Sequence, residues 1–400
     1  MTILIADKLD PVATDALKKN GHDVTEEPAL SGDSLTEALR QKRPNVLVVR
    51  STKISAEAME ANPALELIVR AGAGYNTIDV EAASERGIFV ANCPGKNAVA
   101  VAELTMGLVL ALDRQIPAGV QDAREGRWNK AAYSQAGGLK GRTLGVIGMG
   151  SIGREVAARA RAFGMHVMAW SRSLTDEDAA DLRVARWEDP NDLAGMADVV
   201  TIHVAATPET QHLADRAFFE AMRPGALFIN TSRSSVVDEE ALRWAMDEKG
   251  IRAALDVMEG EPSAKEGAFE HPLADHPSLY LTHHIGASTE QAQEAVAREA
   301  ARVVHRYADT GRVLHSVNLA ERSPATHLLT VRHLDKVGVL AAVLDEVRKA
   351  DWNVQEMENL VFAGAKAACA RIRFNGEPKA DVLDQINQHE DVIAASLIAL

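Results

Sequence analysis

Short apolar runs alternate with stretches of helical spacing from the first residues onward. "TILIA", "NVLVV", "LELIV" and "IFVA" read as buried strands. Between them, "PVATDALKKN", "SLTEALRQK", "SAEAMEA" and "TIDVEAASERG" place apolar residues three and four apart. Alternation of this kind predicts a parallel sheet covered by helices on both faces. Residues 97–115, "NAVAVAELTMGLVLALDRQ", form a long helix pattern that is largely apolar on both sides. Such a helix is expected between layers rather than at the surface.

A second alternating series begins at "TLGVIGMG" and runs through "HVMAW", "VVTIHVA", "ALFINTS", "IRAALDV" and "LYLTHHI". It predicts a second doubly wound sheet. "STEQAQEAVAREAARVVHRYADTG" then reads as one helix, opened by a Ser/Thr cap and closed at Gly311. "RVLHSVNLAERSPA" has no clear period and carries Pro324, which marks a crossing segment and linker. The remainder changes character. "HLLTVRHL", "VQEMENLVF", "KAACARIRF" and "VIAASLIAL" are strands, with helices "VGVLAAVLDEVRKAD" and "KADVLDQINQH" among them. The order β-α-β-β-α-β predicts a ferredoxin-like domain.

Length and composition fit that division. Four hundred residues, 46% hydrophobic and 25% charged, suffice for two or three domains with sizeable cores. The net charge of −14 opposes general binding to nucleic acid or anionic membranes, so an anionic substrate must be met by local cations. No run approaches the roughly 18 apolar residues of a membrane span. "MTILIADKLD" reads as a first strand rather than a signal peptide. Cys93 and Cys369 have no metal-ligand spacing, so no metal is expected and a reducing, cytoplasmic setting is.

Gly148, Gly150 and Gly153 supply a G-x-G-x-x-G motif between an apolar strand and an amphipathic helix. That context predicts a dinucleotide pyrophosphate at the helix N-terminus. A ribose-binding acid is expected at the end of the next strand, at residue 171. Ser171 stands there, followed by Arg172. A hydroxyl and a guanidinium suit a 2′-phosphate, and neither excludes a plain ribose. NAD or NADP is therefore expected.

"NTSRSSVVDEEAL", "ALDVMEGEP" and "LTHHIGAST" follow in order, each at the end of a strand of the second sheet. Ligands of open parallel sheets bind outside those ends. Arg233, Glu261 and His284 thus converge on one rim. They are the parts of a hydride-transfer site: a guanidinium for carboxylate and carbonyl oxygen, an imidazole for the hydroxyl proton, a carboxylate to orient the imidazole. His283 is a second candidate for the acid–base. Neighbouring strand residues face opposite sides, so one histidine of the pair is expected to face the cleft.

These three strings resemble the catalytic segments of the D-2-hydroxyacid dehydrogenase family over residues 1–315. The resemblance implies two Rossmann-like domains, with the cofactor domain (96–287) inserted in a substrate domain (1–95 and 288–320), followed by the ferredoxin-like βαββαβ domain (321–400). It assigns catalysis to Arg233, Glu261 and His284. It assigns the cofactor to Gly148, Gly150, Ser151, Ile152, Gly153, Ser171, Arg172, His203, Thr210, Thr231, Ser232 and Asp256. The likeness is greatest to members that oxidise 3-phosphoglycerate. Arg50 and Lys53 in "VVRSTKIS" and Lys130 in "GRWNKAAY" would meet the phosphate, and Ala73 and Gly74 in "VRAGAGYNTID" the carboxylate. The tail resembles an ACT-type regulatory domain, with His333, Asp335 and Asn353 as contacts for a serine effector at a seam between two copies. The protein is expected to be a homodimer or homotetramer with a small 2-hydroxy or 2-oxo acid substrate. Glyoxylate or hydroxypyruvate reduction, and NAD(H) sensing without turnover, are the alternatives.

Overall fold

The structure is a computed structural model that describes residues 1–262, 267–320 and 323–400. The chain forms two compact units, Met1–Asn318 and Leu319–Leu400. Residues 321–322 of the expected linker lie outside the described residues. Among those described, no helix is long and apolar enough to cross a membrane.

The first unit contains two parallel sheets. Strands β1 (Thr2–Ile5), β2 (Asp23–Glu26), β3 (Val46–Val49), β4 (Leu67–Arg70) and β5 (Phe89–Ala91) lie in the order β2-β1-β3-β4-β5. Helices α1 (Pro11–Lys19), α2 (Gly32–Lys42), α3 (Ala56–Glu60) and α4 (Val80–Glu85) connect them. The four predicted apolar runs are the inner strands β1, β3 and β4 and the edge strand β5. β2, "DVTE", is a polar edge strand that has no hydrophobic signal, and its register is imposed by pairing Thr2 with Asp23.

Two helices pass between this sheet and the next: α5 (Ala98–Arg114) and, after a break at Gln115 (φ +52°), α6 (Ile116–Arg124). α5 buries residues on most of its circumference, as its two apolar sides predict. α6 buries none, which is why its pattern gave no helix signal. The second sheet holds β6 (Thr143–Ile147), β7 (His166–Trp170), β8 (Ala185–Arg186), β9 (Val199–Ile202), β10 (Leu227–Asn230), β11 (Arg252–Leu255) and β12 (Leu279–Leu281). Their order is β12-β11-β10-β9-β6-β7-β8, so the strand order reverses between β6 and β9. Helices α7 (Ser151–Ala162), α8 (Asp176–Leu182), α9 (Pro190–Met196), α10 (Arg216–Ala221) and α11 (Glu239–Lys249) cover it. α5 and α7 pack on one face through Met106, Val109, Val156 and Ala160. Phe218, Phe219 and Leu242 fill the other.

The chain then returns. α12 (Glu290–Thr310) is capped by Thr289, whose hydroxyl accepts from the Ala292 amide at 3.1 Å, and is closed by Gly311 at φ +67°. Its Ala297, Ala300 and Val304 join Ile3, Ile5 and Val69 in the core of the first sheet. The segment after it pairs Ser316 with Ala91, and Asn318 holds the Val90 amide at 2.9 Å.

The second unit has β13 (His327–Leu334), α13 (Val339–Lys349), β14 (Asn353–Val361), β15 (Ala367–Asn375), α14 (Ala380–Gln388) and β16 (Val392–Ala399). The antiparallel order β14-β15-β13-β16 is the ferredoxin-like arrangement. Its core is Leu329, Val331, Val343, Val347, Trp352, Ile372 and Phe374.

Candidate active site

The crevice at the β6–β9 reversal is where an open parallel sheet takes a ligand. Gly148 ends β6 there at φ +101°, and a Cβ on it would lie 2.8 Å from the His203 carbonyl. A Cβ on Gly153 would lie 2.0 Å from the Gly148 carbonyl oxygen. Gly150 faces open space and starts α7 with no side-chain cap, leaving the helix's first amides, at Ser151 and Ile152, free for an anion. Each glycine thus has its own job: turn, approach and helix packing. Gly153→Ala is expected to displace the Gly148 peptide, destabilising the fold by about 1–3 kcal/mol and weakening NADH binding more than tenfold. Thermal melts and NADH fluorescence titration check both.

His203, at the end of β9, is buried. Its Nε2 lies 3.0 Å from the Thr201 hydroxyl, and its Nδ1 has no hydrogen-bond partner among the described residues. Burial drives its pKa down to about 3, so the ring stays neutral. An orphan nitrogen beside the glycine turn fits a polar cofactor group. Other residues assigned to the cofactor are committed to protein partners. Thr210 Oγ1 donates to the Ala205 carbonyl at 2.6 Å. Thr231 pairs with Thr105 at 3.0 Å, and Ser232 donates to Asn230 at 2.8 Å. Asp256 is buried and clamps the turn after β12, accepting from Thr282 Oγ1 (2.6 Å), Ile285 N (2.9 Å) and Gly286 N (2.8 Å). Ser171 is half-buried and Arg172 exposed at the end of β7.

That clamp sets the histidine. His283 and His284 both lie past the end of β12, so strand alternation does not apply to them. His284 takes a left-handed conformation, φ +51°, which aims its Nδ1 at Glu261 Oε2, 2.8 Å away. Glu261 Oε1 is fixed in turn by the Met258 amide at 2.9 Å. The Glu261 hydrogen bond raises the His284 pKa above its usual value, against the opposing effect of burial. Burial opposes the charge on Glu261 as well, but the His284 and Met258 hydrogen bonds outweigh it and lower that pKa. The left-handed turn had no signal in the sequence; the two side chains themselves did.

Arg233 lies against the glycine loop of the first sheet. A Cβ on Gly74 would stand 2.2 Å from its Nη2, and its Nη1 donates to the Ser232 carbonyl at 2.6 Å. Gly72 makes the same allowance for Arg70, whose Nη1 would be 1.5 Å from a Cβ there. Room for two guanidinium groups, besides backbone approach to a carboxylate, therefore accounts for this loop's glycines. Ala73 is held by Asn92, which donates to its carbonyl at 2.6 Å.

Arg70 joins this group of cations, although nothing in the sequence around it singles it out. β3 and β4 pair Val49 with Arg70, so Arg50 and Arg70 emerge together at neighbouring strand ends. Burial, and then the charges of Arg233 and Arg50, push the Arg70 pKa down to about 10, and its Nε has no hydrogen-bond partner among the described residues. Asp7 accepts from the amides of Arg50 (2.7 Å), Ser51 (3.0 Å) and Thr52 (3.0 Å), fixing the turn that carries Arg50 and the exposed Lys53. Lys130 is placed otherwise. It lines a shallow cavity of about 240 Å³ with Asp122, Arg127, Trp128 and Tyr133, beside α6.

In the C-terminal unit, His333 is buried, with Nδ1 2.7 Å from the Leu334 carbonyl and Nε2 3.2 Å from Asn359. Asp335 and Asn353 are exposed. His333 pairs with Ala368 and Asn353 with Asn375, seven residues apart along β15, or roughly 23 Å at strand spacing. One copy of this domain therefore does not bring His333 and Asn353 to a common ligand.

Residues 106–286 match the family described as D-isomer specific 2-hydroxyacid dehydrogenase, NAD binding domain. A D-3-phosphoglycerate dehydrogenase of Methanocaldococcus jannaschii is 41% identical over 295 residues, 73% of this chain. The chain spans only 55% of that relative's length. A hydroxypyruvate reductase of Thermotoga maritima is 40% identical over 298 residues, covering 74% of this chain and 94% of the relative. An NAD⁺-bound 3-phosphoglycerate dehydrogenase from Entamoeba histolytica superposes with a TM-score of 0.66 at 27% identity, covering 80% of this chain and 99% of that one.

Proposed function

Because the chain belongs to the D-isomer specific 2-hydroxyacid dehydrogenase family, we propose that it interconverts 3-phosphoglycerate and 3-phosphohydroxypyruvate with NAD or NADP. The observation that carries the choice of substrate is a run of cations: the charges of Arg50 and Arg233 both act on Arg70, and Arg233 acts in turn on the His284–Glu261 pair. Three guanidinium groups that repel one another within an acidic protein suit an anion charged at both ends. The relative's name, D-3-phosphoglycerate dehydrogenase, supports the same reading.

The glycine turn, the free amides at the start of α7 and His203 would hold the dinucleotide. Bound there, the dinucleotide would supply a hydride acceptor for oxidation at C2 of the hydroxy acid, or a hydride donor for the reverse. The protein's own groups do the rest. Arg233 binds the carboxylate and the C2 oxygen with its planar fork. His284 Nε2 takes the hydroxyl proton in oxidation and gives it back in reduction. Glu261 holds the ring in position and stabilises the imidazolium through Nδ1. Asp256 fixes the turn on which His284 sits. Arg50 and Arg70 face the phosphate end.

Arg50→Ala tests the anchor. It is expected to raise KM for 3-phosphohydroxypyruvate about 10- to 100-fold, the scale of a lost charge-assisted hydrogen bond, and KM for hydroxypyruvate little. Equal effects on the two would remove Arg50 from the phosphate site. Hydroxypyruvate or glyoxylate reduction is the second reading. It is favoured by the Ser171–Arg172 pair and by the likeness to the reductase across nearly that enzyme's whole length.

A further inference from the structure

The missing ribose acid leaves a question that the neighbouring loop answers. Beyond β9 the chain turns through Thr207–Thr210, and Glu209 projects from it. Its carboxylate stands 4.0 Å from the Arg172 guanidinium, and both side chains are about two-thirds exposed. The ends of β7 and β9 flank the β6 glycine turn on its two sides, and the ribose of a dinucleotide held there would meet the end of β7, where Arg172 and, through it, Glu209 stand. Two hydrogen bonds tie the loop: Thr207 N donates to Thr210 Oγ1 at 2.9 Å, and Thr210 Oγ1 to the Ala205 carbonyl at 2.6 Å.

We propose that Glu209 selects the cofactor: its carboxylate, shared with Arg172, replaces the acid absent from the end of β7 and opposes a 2′-phosphate. The inference rests on the dehydrogenase reading above. An exposed pair of this kind adds little to stability, so its worth lies in the charge it presents to a ligand. A 2′-phosphate brings close to two negative charges. It must compete with Glu209 for Arg172 and lie beside a carboxylate. The plain ribose meets neither cost, and its hydroxyl can donate to Glu209. The hydroxyl of Thr207 lowers the Glu209 pKa, which keeps the group ionised at neutral pH. Arg172 alone favours NADP; Arg172 with Glu209 is neutral and shifts the balance to NAD.

Fluorescence titration of NADH and NADPH, which needs no turnover, tests this with Glu209→Gln. Two negative charges roughly 6 Å from a carboxylate in water, screened by physiological salt, are worth about three- to tenfold in affinity. Glu209→Gln is therefore expected to raise the NADPH/NADH affinity ratio by that factor, through tighter NADPH, and the gain is expected to shrink in high salt. 2′,5′-ADP, which lacks the nicotinamide end, is expected to gain as NADPH does. A ratio that stays within twofold, or a change equal for both nicotinamides, overturns the selector while leaving the dehydrogenase reading intact. A native protein that binds neither nicotinamide overturns both.

Discussion

Replacing His284 with Asn is expected to lower turnover by about 10²–10⁴, the usual contribution of a positioned general acid–base. Asn keeps the size of the ring's near side and favours the same left-handed backbone, so the fold and NADH binding are expected to survive. His283→Asn is expected to remain active, because it is His284 whose Nδ1 meets Glu261. The pH profile follows from the raised His284 pKa. In reduction the imidazolium donates, so the rate is high below that pKa and falls as pH rises through it. In oxidation the neutral ring accepts, and the rate rises over the same range. Glu261→Gln removes the largest cause of the shift, so both limbs are expected to move to lower pH. Rate–pH profiles in the two directions check this. Limbs unmoved in Glu261→Gln would show that another group titrates.

Arg233→Ala is expected to cost about two to three orders of magnitude in kcat/KM, the scale of removing one partner from a buried, hydrogen-bonded charge pair. Burial lowers the Arg233 pKa only against a very high starting value, so the group is charged at neutral pH. Its fork is preset by the Ser232 carbonyl and by the space at Gly74. Arg233→Lys keeps the charge but not the two parallel donors, so it is expected to recover only a small part of the loss. Initial rates across substrate concentrations separate the effects: loss in kcat as well as KM places Arg233 on the reacting oxygen. Loss in KM alone would confine it to the carboxylate.

Much of the fold was legible because burial writes itself into the sequence. The inner strands of both sheets are continuous apolar runs, and α12 carries its cap and its closing glycine. The elements without signal are those at edges: β2 is polar, β8 is two residues long, and α6 buries nothing. The site follows the same division. Arg233, Glu261 and His284 sit at strand ends, where parallel sheets expose chemistry. Arg70 also ends a strand, yet "VRAGAGYN" drew attention to its glycines instead. Its role depends on pairing between β3 and β4, which only the register supplies. Asp256 was legible as a residue of the site, but its grip on the His284 turn depends on backbone amides that follow β12. Lys130 shows the opposite case: a plausible cation on a segment that the fold carries to α6.

Initial rates for 3-phosphohydroxypyruvate, hydroxypyruvate and glyoxylate, each with NADH and NADPH, test the account most directly. The highest kcat/KM is expected for 3-phosphohydroxypyruvate, by at least the 10- to 100-fold margin that the Arg50 anchor supplies. A preference for glyoxylate or hydroxypyruvate would make the protein a reductase of small 2-oxo acids, and tight NADH binding with no turnover of any of the three would contradict the assignment as an enzyme.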